Sequence, residues 1–78
     1  MKNFMVHLKS INDVKEFVRI VNSFDYDVDL VSGRYIVDAK SIMGIFSLDL
    51  AKPIEVEVHN QDSEDLFTKL APFIVGDK

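Results

Sequence analysis

The sequence predicts an α+β domain, an open-faced β-sandwich in which a four-stranded antiparallel sheet carries three helices on one face in the order βαββαβα. Three observations lead there. Four short runs alternate apolar and polar residues with the period of two of half-buried strands, and two longer runs carry apolar stripes at helical spacing. The third is a short apolar segment, "AKSIMGIFSLDL" over 39–50, placed directly behind a serine. At 78 residues and 47% apolar composition, with six Phe, residues 1–78 read as one domain with a single core.

The first run, 2–8, sets Phe4, Val6 and Leu8 against Asn3, Met5 and His7. A helix follows. Ser10 with Asp13 three positions on has the form of a capping box, and Ile11, Val14, Phe17, Val18 and Val21 fall on one helical face that ends around Asn22, Ser23 and Asp25. Next, Tyr26, Val28 and Leu30 alternate with Asp25, Asp27 and Asp29, and the turn Val31-Ser32-Gly33-Arg34 leads into Tyr35-Ile36-Val37, which predicts a hairpin. Ser41 is placed to cap a helix of about two turns. Pro53 opens the fourth strand, with Ile54, Val56 and Val58 against Glu55, Glu57 and His59. The last helix is capped by Asp62 or Ser63, carries the stripe Leu66, Phe67, Leu70, Phe73 and Ile74, and is shortened or kinked by Pro72. Helices on one face of the sheet bury these apolar sides and leave Asp25, Asp27, Asp29, Glu55 and Glu57 in water.

Charge and composition narrow the function. Thirteen acids against nine bases give a net charge of -4, and the cations Lys2, Lys9, Lys15, Arg19, Arg34, Lys40, Lys52, Lys69 and Lys78 are scattered, so no basic stripe exists for nucleic acid. The absence of Cys removes disulfides, thiolate chemistry and Cys-based zinc sites. No run is long enough for a signal peptide or a membrane span, which places the expected location in the cytoplasm.

"DYDVDL" repeats aspartate at every second position but lacks the rest of a calcium loop, having Leu30 where Gly belongs and Ile36 where the last Glu belongs. Alternate carboxylates on one strand stand roughly 7 Å apart. A solvated strand face is therefore expected. His7 and His59, the two groups suited to acid/base work near neutrality, fall on outward strand phases with no patterned partner close in sequence, so both read as exposed histidines and no metal site or cofactor is expected. Neither a G-x-S-x-G turn nor a phosphate loop is present, and the sequence carries no sign of an enzyme.

The segment behind Ser41 is the candidate site. On a short helix Ile45 and Leu48 share one side while Ile42, Met43 and Phe46 share another. If the first pair packs inward, the second set is left as an exposed docking surface; the alternative is that the core covers both sides. From position alone Ser41 is a plain helix cap. A phosphate added there would nevertheless meet free backbone N–H groups and the positive helix end, beside Ile42 and Met43.

"VDAKSIMGIFSLDL", followed by "IEVEV", resembles the central part of HPr, the histidine-containing phosphocarrier protein of the bacterial sugar phosphotransferase system; the likeness is strongest from Val37 to Val58 and the element order fits the whole chain. The resemblance implies the open-faced sandwich, a regulatory phosphoserine at Ser41, and a partner surface of Lys40, Ile42, Met43 and Phe46. The family's second motif, G-L-H-x-R-P, is not matched. Aligned through "EFV", its G, L, H, R and P places fall on Leu8, Lys9, Ser10, Asn12 and Asp13, so the phosphoacceptor histidine is replaced by Ser10 and the phosphate-holding arginine by Asn12.

What the resemblance then implies is a non-enzymatic, HPr-like regulatory binding domain. Its implied partners are proteins, namely HPr kinase/phosphorylase, a transcription regulator or phosphotransferase-system components, with no nucleic acid and no membrane. The alternative is an active phosphocarrier with a non-standard acceptor, Ser10 or His7. A third reading is a degenerate domain whose helix surface serves self-association or an unrelated partner.

Overall fold

The computed structural model describes residues 2–75; Lys78, counted above among the scattered cations, lies outside them. Four strands, β1 (Lys2–Val6), β2 (Asp27–Ser32), β3 (Tyr35–Asp38) and β4 (Ile54–His59), form one antiparallel sheet in the order β1-β4-β2-β3. Helices α1 (Ile11–Asn22), α2 (Ile42–Phe46) and α3 (Glu64–Lys69) follow β1, β3 and β4. The predicted fold class and element order hold.

Strand alternation decides which face is covered. Phe4 and Val6, Val28 and Leu30, and Ile54, Val56 and Val58 are all buried, whereas Asn3, Met5, Asp29, Val31, Glu55 and Glu57 keep contact with solvent. The helices lie on the first face. From α1 come Val14, Phe17, Ile20 and Val21, from α2 Ile45, and from α3 Leu66. Edge-to-face ring pairs tie the layers together, Phe4 with Phe67 at 5.1 Å and Phe17 with Phe73 at 6.3 Å between centroids. Tyr26, half-buried against Phe24, has its phenol pushed above the ordinary tyrosine pKa by desolvation first and then by the charges of Asp62 and Asp65.

The hairpin turn is shorter than expected, with Gly33 and Arg34 alone between Ser32 and its partner Tyr35. Gly33 has φ +61 and is the one residue with positive φ among those described, which is why a glycine stands there.

Several expectations need correction. The first strand stops at Val6, because His7 N donates to Phe73 O at 2.9 Å and Ile74 bridges to Val6 as the C-terminal segment comes alongside. Leu8 is buried all the same, and His7 is half-buried outside the strand. Ile11, the first residue of α1 after its cap, is 63% exposed and leaves the helical stripe, and Ile20 is buried instead. Ser63 occupies the cap position of α3 without a side-chain capping bond. That helix ends at Lys69 with Leu70 as its C-cap, and a 3₁₀ turn over Ala71–Phe73, with Pro72 inside it, carries Phe73 inward.

Candidate functional site

The segment Asp38–Ser47 is built by local bonding. Asp38 Oδ1 accepts from Lys40 N at 2.9 Å, its carbonyl accepts from Ser41 N at 2.9 Å, and Ala39 between them is fully buried with its N–H on Val28 O. Ser41 is thereby held at φ -103 and ψ 106, the extended geometry of a cap, and its Oγ accepts from Gly44 N at 3.2 Å. A Cβ on Gly44 would meet Ser41 Oγ and Val37 Cβ, each at 3.4 Å, so the glycine lets α2 lie close on β3. Ser47 closes the helix through Oγ to Gly44 O at 2.6 Å.

Replacing Ser41 by alanine removes the acceptor for Gly44 N. The expected loss is about 1 kcal/mol of stability, read from the urea midpoint at unchanged m-value; an unchanged midpoint means that water replaces the cap at no cost.

Five residues make less than two turns, and this resolves the choice left open by the pattern. Ile45 is buried and Leu48 half-buried, Met43 is 76% exposed and Phe46 42% exposed. Ile42, expected at the surface with them, is half-buried against the core. Lys40 is also drawn in, with Nζ donating to Phe24 O at 2.9 Å and its carbonyl accepting from Asn22 Nδ2 at 3.4 Å. The exposed apolar pair is thus Met43 and Phe46, and Lys40 braces α2 against the end of α1.

Ser10 begins α1 in extended geometry and accepts from Asp13 N at 3.1 Å. Asp13 Oδ2 reaches back to Lys9 N at 2.9 Å, one residue earlier than in a regular capping box. Asn12 is exposed on the same turn. Ser10, Ile11 and Phe46 line one shallow cleft of about 360 Å³ with Leu8, Lys9, Leu50 and Ala51. Through Phe46 the start of α1 and the exposed side of α2 form one continuous surface, a juxtaposition that no sequence spacing revealed. On the outer side of α1, the Arg19 guanidinium bonds Glu16 and holds its carboxyl below the usual carboxylate range.

The family model of the PTS HPr component phosphorylation site matches residues 8–75. The chain belongs to the HPr family. It is similar in structure to a phosphocarrier protein HPr from Bacillus anthracis str. Ames, at 31% identity over 95% of this chain and 94% of that one with a TM-score of 0.71. It is also similar to HPr-C-His from Thermoanaerobacter tengcongensis, at 24% identity over 92% and 89% with a TM-score of 0.78, a likeness of fold. Comparison with curated proteins finds no match. The HPr family serves the phosphotransferase system as a phosphocarrier rather than a catalyst, and its members interact with other proteins of that system. Among the described residues of this HPr-family chain, no helix is long and apolar enough to cross a membrane.

The histidines stand apart from this surface in their bonding. His59 Nε2 lies 3.0 Å from Asp29 Oδ2 and 3.6 Å from Glu57 Oε1, a group that the sequence did not bring together because Asp29 belongs to another strand.

Proposed function

We propose that residues 1–78 form a regulatory, non-catalytic HPr-like domain that binds protein partners through Met43 and Phe46, with Ile42 and Lys40 bracing that surface. Phosphorylation of Ser41 sets the choice of partner. The observation that carries this reading is a solvent-exposed capping hydroxyl one turn from two exposed apolar side chains. The start of α1 supports it from the other side. If Ser10 holds the family's acceptor position, its Oγ is bonded as a helix cap, Asn12 supplies no cation, and the Asp13 carboxylate repels an incoming phosphoryl group. A charge of about -2 on Ser41 Oγ meets no carboxylate in the first turn of α2, and it favours a partner bearing Arg or Lys over an acidic one. In this reading the domain works in the cytoplasm, and its scattered cations offer nucleic acid no basic stripe.

Incubation with an HPr kinase and ATP, read by intact mass and site mapping, is expected to add one phosphate at Ser41. No addition, with an ordinary HPr labelled in parallel, rejects Ser41 control.

Family membership also favours a second reading, phosphoryl transfer through Ser10 or His7. Enzyme I with phosphoenolpyruvate separates the two, because label on either residue makes the chain a carrier and its absence leaves the regulatory reading standing.

A further inference from the structure

The open face of the sheet carries a row of carboxylates. Register places Glu57 of β4 opposite Asp29 of β2, and Asp29 opposite Asp38 of β3. Directly opposed like charges on neighbouring strands are unfavourable. Asp38 uses its carboxylate on Lys40 N, which leaves Asp29 and Glu57 facing each other. Among the described residues, His59 is the one ion-pair partner found for either of them.

These three side chains form a mixed donor set rather than an acidic cluster. The imidazole Nε2 and one oxygen of each carboxylate all lie within 4.8 Å of one another. Donors bonded at about 2.1 Å to a single ion stand about 3.0 Å apart at an octahedral angle and about 3.4 Å apart at a tetrahedral one. The observed 3.0 Å and 3.6 Å from His59 Nε2 are close to those edges, so modest side-chain rotation would seat an ion between donors already gathered. Their backbone positions are set by two paired central strands and not by a loop, with Glu57 and His59 alternating on β4 and Asp29 across from Glu57. A divalent ion neutralises both carboxylates and takes the imidazole nitrogen as a ligand.

We propose that Asp29, Glu57 and His59 bind one divalent first-row transition ion, with Zn²⁺ the best match, on the sheet face opposite the helices. Imidazole nitrogen selects such an ion over Mg²⁺ and Ca²⁺, which prefer all-oxygen sites. Side-chain exposures of 36%, 34% and 28% for His59, Asp29 and Glu57 give the ion an entry path and room for water to complete its shell.

Calorimetric titration of the untagged protein with ZnCl₂ in a non-coordinating buffer tests this. One Zn²⁺ per chain is expected, bound at least ~10-fold more weakly by His59→Ala and by Asp29→Asn and unchanged by His7→Ala. Circular dichroism confirms that each variant is folded. No saturable binding, or binding by His59→Ala and Asp29→Asn as tight as the parent's, overturns the site.

Discussion

Replacing Phe17 with alanine is expected to leave most of the protein unfolded at room temperature. Phe17 is the largest of the fully buried side chains, stands mid-way along α1, and meets the Phe73 ring edge to face at 76°. Truncating a buried phenylalanine costs about 3–5 kcal/mol, the transfer term plus the cavity it leaves. A single core in a chain of this size supplies only ~3–5 kcal/mol of net stability, so the loss is comparable with the whole. The effect should reach the site, because the start of α1 brings Ser10 and Ile11 to the cleft that Phe46 also lines, and its end receives the Lys40 brace. Phe17→Leu, which retains most of the volume, should stay folded with a lowered urea midpoint. A Phe17→Ala protein with the parent's far-UV spectrum and midpoint would place the keystone of the core elsewhere.

The strands were legible because one side of each is buried and the other wet, and a period of two records that directly. Val28 and Leu30, and Ile54, Val56 and Val58, are inward as the alternation requires. Ser41 was legible for a similar local reason, since a cap depends on three or four consecutive residues and its bond to Gly44 N is made within them. Ile42 was not. In five residues the division between a covered and an open side depends on how closely α2 lies on β3, which is set by the missing side chain at Gly44 against Val37. Ile11 failed differently, as its helical spacing is correct but it is the first residue of α1 and its side chain lines the open cleft with Phe46. Long-range register was the largest blind spot. The distance between carboxylates along one strand argues against a shared ion, yet Asp29 reaches Glu57 and His59 across strands, through a pairing that has no trace in either segment.

Phe46→Asp and Met43→Asp are expected to slow Ser41 phosphorylation by HPr kinase on the order of 30-fold each. That factor corresponds to the roughly 2 kcal/mol at which an anchoring side chain counts as a hot spot. Both side chains are exposed, so little core packing is lost and stability should stay within about 0.5 kcal/mol of the parent. They should therefore separate docking from folding, which Ile45→Asp cannot do because Ile45 is fully buried. Ile36→Asp is the matched control. Ile36 is 65% exposed and apolar but alternates with Val37, whose side chain faces α2, and so points to the opposite face of the sheet. If the kinase recognises the surface around α2, initial rates fall for Phe46→Asp and Met43→Asp and hold for Ile36→Asp. Equal rates in all three would mean that the hydroxyl is reached without docking on its apolar neighbours. Equal losses in all three would point to added negative charge on an already acidic protein, an electrostatic effect that rising salt should erase, whereas the loss of a packed aromatic anchor should persist in salt.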